Sequence, residues 1–171
     1  TVALPDADFD ATPVMRDAFH LVCPPTHPLA AHEGPLAWDV FNDHPAVGMS
    51  GESGIRGILK EHAAGQLAVS GLAYEVSSVW GLIRMVREGL GIAAVPGLVA
   101  QAMASEGIPA IRLAPPIHRT VSLITRAGRS PTPAAGTLVS AALVKLRNVQ
   151  SDGIEIPVTE EQLADRGFPA G

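Results

Sequence analysis

Apolar and polar positions recur in two rhythms along this chain. A period of two marks strands, and a period between three and four marks helices. The clearest block is residues 75–96, EVSSVWGLIRMVREGLGIAAVP. Val79, Leu82, Ile83 and Val86 fall at i, i+3, i+4 and i+7, which predicts one buried helix face, with Arg84, Arg87 and Glu88 off it. Ser77 or Ser78 can cap that helix, and Gly89 supplies the left-handed residue that ends it. Leu90 to Val95 then reads as a short buried strand, and Pro96 can open another helix.

The same reading extends in both directions. Strands are expected at residues 1–4, 19–23, 46–49, 67–69, 73–76, 110–113 and 119–125. Helices are expected at about 53–64, 77–89 and 97–106, with a short one at 36–42 and a last one from Ser130-Pro131 to about Leu146. Residues 5–12, with Asp6, Asp8 and Asp10, read as a loop. Trp38, Phe41 and Trp80 read as core anchors. Strands that alternate with helices predict an α/β fold containing parallel strands.

Composition narrows the function classes. Hydrophobic residues make up 47% of the 171 residues and charged residues 17%, enough apolar material for a real core. The net charge of −5 is uneven: Asp152, Glu155, Glu160, Glu161 and Asp165 face only Arg166 in the last stretch. No basic stripe exists, so this chain is not expected to bind nucleic acid by itself. Cys23 is the only cysteine, so no internal disulfide can form, which fits a reducing cytoplasm. No apolar run reaches the roughly 18 residues that a membrane span needs.

Three segments in series carry a family resemblance. Residues 75–96 resemble the signature of the effector-binding domain of LysR-type transcriptional regulators. Residues 16–30, RDAFHLVCPPTHPLA, resemble that family's strand followed by a His-Pro-Leu-Ala turn. Residues 118–143, HRTVSLITRAGRSPTPAAGTLVSAAL, resemble its return strand and final helix. The resemblance implies a periplasmic-binding-protein type II-like architecture, a mixed sheet flanked by helices. Residues 1–12 would be a remnant of the first lobe, 13–114 the second lobe, 115–147 the return to the first lobe, and 148–171 a poorly ordered tail. It implies a C-terminal fragment that holds a small organic acid or aromatic metabolite between two lobes and forms a homo-oligomer in the full-length protein. DNA would be held only through an N-terminal helix-turn-helix domain outside this sequence. The loss of first-lobe surface would leave an apolar, sticky face.

The candidate ligand residues lie where strands hand over to helices. Ser50, Gly51, Glu52 and Ser53 form a polar loop between a strand and a helix, and Ser77 and Ser78 stand before the next helix. Helix N-termini present free N–H groups to an anion. All four serines are simple caps in the plainer reading. Gly91 and Ile92 join the candidate site, with Gly91 letting a ligand approach the backbone as the family suggests. Glu52 would point away from a carboxylate or select a ligand with a donor group.

Other chemistries fit less well. Gly51-Glu52-Ser53-Gly54-Ile55 fails the nucleophile elbow at its fifth position, which weakens a serine hydrolase using Ser53. Gly89-Leu90-Gly91 follows a helix and precedes a strand, the wrong order for a dinucleotide loop. The histidines His20, His27, His32, His44, His62 and His118 show no metal-ligand spacing, so no metal or cofactor is expected. A transport-type solute-binding protein of the same architecture is the alternative from another class.

Overall fold

The computed structural model describes residues 8–51, 53–62, 71–147, 153–159, 162 and 168. The expected strands at 1–4 and 67–69 lie outside them. The chain divides into two compact units, Ala18–Arg119 and Val2–Asp17 with Thr120–Gly171. The strand β1 (Phe9–Val22) contributes its last residues to the first unit and its earlier ones to the second.

In the first unit, β1 is flanked by β5 (Ala93–Pro96) and β6 (Ala110–Ala114), both antiparallel to it. The register pairs Val22 with Ala93 on one side and with Ala110 on the other. The two-residue strand β2 (Leu36–Ala37) runs parallel to β6. A second ladder pairs β3 (Ala46–Met49) parallel with β4 (Leu72–Val76). It is tied to the head of β5: Ile92 N–H donates to the Pro45 carbonyl at 2.9 Å, and Val47 N–H donates to the Ile92 carbonyl at 2.9 Å. β2 to β6 of this unit therefore run one way and β1 the other.

Three of the parallel strands lead into helices. β3 leads to α1 (Gly54–His62), β4 to α2 (Val79–Arg87) and β5 to α3 (Gly97–Ser105). α2 buries Leu82, Ile83 and Val86, the stripe that the period predicts. It ends as the glycine requires: Gly89 has φ +79°, its N–H donates to the Val86 carbonyl, and Leu90 N–H donates to Met85. β3 and β4 separate two apolar layers. Ala46 and Leu72 pack with Ile55, Ile58 and Leu59 of α1, while Val47, Met49 and Val76 pack with Leu82, Ile83 and Val86 of α2.

The second unit is built from distant pieces. β7 (His118–Arg126) pairs with β1, α4 spans Pro133–Arg147, and β8 (Ile154–Glu155) pairs antiparallel with β1 at Arg16 and Asp17. Its core joins Val14, Leu143, Val158 and Phe168.

Two expectations are corrected. Residues 9–12 are strand rather than loop, because β7 supplies the ladder and Ala127 N–H caps it on the Asp8 carbonyl at 2.8 Å. Long-range pairing overrides the turn-forming composition there. In the stretch 148–171, β8 adds an edge strand, Val158 and Phe168 are buried, and Glu155, Pro157, Thr159 and Gln162 are exposed. Trp80 is no core anchor, at 78% exposure, since it lies off the buried stripe of α2; Trp38 and Phe41 are buried as expected.

Candidate functional site

The parallel pairing of β3 and β4 decides which serines meet. The ladder ends at Met49 opposite Val76, and Ser50 N–H donates to the Val76 carbonyl at 2.8 Å. Ser50 therefore lies across from Ser77, at the carboxyl ends of two parallel strands. Ligands in open α/β sheets bind outside such strand ends.

Each strand turns there into a helix. Ser53 N–H donates to the Ser50 carbonyl at 3.0 Å and closes the turn. The Ser53 hydroxyl oxygen accepts the Ile55 N–H at 3.3 Å, a capping contact. Ser78 is the N-cap of α2 with extended backbone, and its carbonyl accepts Leu82 N–H at 3.0 Å. The Ser78 side chain makes no capping hydrogen bond, and both Ser77 and Ser78 are exposed. The first N–H groups of α2 thus open outward with two hydroxyls beside them.

Gly91 and Ile92 do not join this edge. Ile92 is fully buried and bridges to Ala46, at the start of β3. Ser50 is four residues further along, about 13 Å away at strand rise. Gly91 is small for a packing reason: a Cβ there would run into the Pro45 carbonyl. Gly51 is exposed in the turn, and Glu52 lies outside the described residues.

Sequence reasoning missed a charged pair beside the serines. Arg56, in the first turn of α1, is buried, and its Nη2 donates to Oε1 of Glu75 at 3.1 Å. Glu75 stands opposite Gly48 in the ladder. Nothing in the local spacing announces a pair that α1 and β4 make across the sheet.

Among the described residues no group of three or more His, Cys, Asp or Glu could hold a metal ion. No helix among them is long and apolar enough to cross a membrane. The one cysteine, Cys23, is buried, and burial pushes its thiol up to about 11.

Parallel strands that end together at helix starts are shared by many α/β proteins, and sequence comparison narrows the choice. A family model for the LysR substrate binding domain matches residues 2–146. The chain belongs to the LysR substrate-binding domain family. The LysR domain is 29% identical over 160 residues to the uncharacterized HTH-type transcriptional regulator YbhD of Escherichia coli (strain K12), covering 92% of this chain and 49% of that protein. The chain thus spans about half the length of that relative.

Solved LysR structures share the fold. The effector binding domain of QuiR in complex with shikimate superposes with a TM-score of 0.66 at 17% identity, covering 87% of this chain and 70% of that one. The regulatory domain of CcmR from Synechocystis PCC6803 in complex with 2-PG gives 0.64 at 18% identity, covering 86% and 73%. The α/β architecture, a mixed sheet flanked by helices, is that of periplasmic-binding-protein type II-like domains.

Proposed function

We propose that this chain is the effector-binding regulatory domain of a LysR-type transcriptional regulator, and that it takes a small anionic metabolite at the edge made by Ser50, Ser77 and Ser78. The observation that carries this reading is the pairing of Ser50 with Val76, which sets a strand-end turn beside the exposed start of α2. An anion there gains roughly 0.3–1 kcal/mol from each helix terminus when exposed. The family match supports the regulatory part, and the acids named with QuiR and CcmR support the ligand class.

In this reading Ala18–Arg119 is the second lobe, and the chain works as a sensor rather than a catalyst. Effector binding favours one of two pre-existing states of a cytoplasmic homo-oligomer. DNA is held by a separate N-terminal helix-turn-helix domain. The HTH-type relative, twice as long as this chain, supports that division, as does the lack of a basic stripe here.

Calorimetry tests it. A panel of small carboxylates that includes shikimate is expected to contain binders. Ser77→Ala and Ser78→Ala are each expected to weaken them roughly two- to tenfold, the worth of one hydrogen bond. In a full-length regulator the same changes leave DNA binding intact. Unchanged effector affinity in both variants would make the serines simple helix caps.

A further inference from the structure

The Arg56–Glu75 pair lies beside the strand ends that carry the serines. Side chains along a strand alternate between faces. Ala46 and Leu72 face α1, and after the register shift between Ala46 and Val47 the alternation puts Gly48 and Glu75 on that side. Ser50 and Ser77 follow directly where the two strands end, after Met49 and Val76. Glu75 and Ser77 are two residues apart in the chain, at most about 7 Å between Cα atoms.

The two partners are held differently. The Arg56 side chain is 9% exposed and the Glu75 side chain 51%. Arg56 takes one carboxylate oxygen, Oε1. The half-open Glu75 side chain leaves carboxylate surface that a further donor can reach. A Cβ at Gly48 would run into the methyl groups of Leu72 and come 3.2 Å from Nη1 of Arg56, so the glycine leaves room over β3 for both side chains.

We infer that Glu75 selects the ligand at this edge, and that Arg56 is a positioning residue that holds Glu75 and cancels its charge. The inference rests on the ligand edge proposed above. A bare carboxylate would repel an anion at this distance. Neutralised by a buried guanidinium, it serves as a fixed acceptor without that penalty. The ligand class follows: a small acid that also carries a hydroxyl or ammonium group a few bonds from its carboxylate. The carboxylate takes the start of α2, and the donor takes Oε2 of Glu75. A plain acid of the same shape would desolvate Oε2 of Glu75 without giving it a donor, which is how polar sites reject isosteres.

Calorimetry and melting curves on matched acids test the pair: shikimate against cyclohex-1-ene-1-carboxylate, lactate against propionate, and alanine. The wild-type chain is expected to prefer the donor-bearing member by roughly tenfold or more, the range of a hydrogen bond to a charged group. Glu75→Gln still accepts from Arg56. It is expected to bind the plain acids more tightly than wild type, and to shrink the preference below about threefold. A merely structural role would weaken both members together. Arg56→Gln is expected to weaken all the acids, less so at high salt, with Arg56→Lys restoring part of the loss. Should Arg56→Gln fail to fold, Glu75→Gln decides alone, because its side chain is half-exposed. If Ser77→Ala weakens binding while Glu75→Gln leaves the preference unchanged, the selection role is wrong and the ligand edge stands. If no acid binds the wild-type chain, both fall.

Discussion

Leu82 on α2 and Leu138 on α4 are both helical leucines, of opposite weight. Leu82 is 1% exposed between β3 and α3, whereas Leu138 is 71% exposed. The contrast extends to the units that hold them. Ala18–Arg119 is a continuous stretch in which β3, β4 and β5 each lead to a helix, and it buries two apolar layers. The other unit gathers Val14, Leu143, Val158 and Phe168 from four separate segments, and leaves Ile124, Leu138 and Val144 open. Helix propensity writes both helices. Burial, which contributes about 25 cal/mol per Å² of apolar surface, separates them.

Substituting those two leucines is the strongest way to break the comparison. Leu82→Ala is expected to cost about 2–5 kcal/mol in urea denaturation, as transfer and cavity terms add. Leu138→Ala should stay within about 0.5 kcal/mol. Equal losses would mean that α4 is covered in solution. Gly91→Ala follows in size, at about 1–3 kcal/mol, because the obstacle is the Pro45 backbone rather than a side chain that can turn aside. A Gly91→Ala chain with an unchanged melting temperature would mean that the join between β3 and β5 is slack.

Cys23 sharpens the comparison by reporting on one unit alone. It is fully buried in the first unit, and burial raises its thiol to about 11. Iodoacetamide at pH 8 should therefore leave it untouched until that unit opens. In mild urea, amide exchange in α4 is expected to rise before Cys23 reacts. Simultaneous loss of both protections would make the two units one cooperative block.

The smallest expected effect is a pH dependence confined to the first unit. His27 caps the short helical turn Pro28–Ala31, its Nδ1 accepting Leu29 N–H at 3.2 Å, and its ring lies 4.8 Å from that of His44. Burial first, and the neighbouring His44 second, lower its pKa. A histidine whose folded pKa is depressed stays neutral while the unfolded chain takes up the proton. Its contribution is thus present above about pH 6.5 and is lost as pH falls through the lower folded value. NMR titration should show the His27 midpoint move up in His44→Gln, since one of the two causes is removed. An unmoved midpoint would leave burial as the whole cause.

How much was legible follows from where each interaction closes. The α2 stripe, its Gly89 stop and the strand at 46–49 are written within a few residues, and the structure has them as read. Ser53 and Ser78 were legible as helix starts. Gly91 and Ile92 enter at the amino end of β5, whereas the serines stand at the carboxyl ends of β3 and β4, and only the pairing of Ile92 with Ala46 reveals that separation. The Arg56–Glu75 pair was invisible, since its members belong to different elements 19 residues apart.

By itself, the sequence determined the helices and their caps, the α/β class and the family resemblance. These depend on side-chain period and on backbone groups satisfied by near neighbours. The tertiary structure alone decided that residues 9–12 are strand, that Val158 and Phe168 are buried, that Trp80 faces outward and that the Ser50 turn meets the end of β4. A strand's hydrogen bonds go to a partner chosen by the whole fold, and the choice of register settles at once which side chains share a face and which strand ends meet.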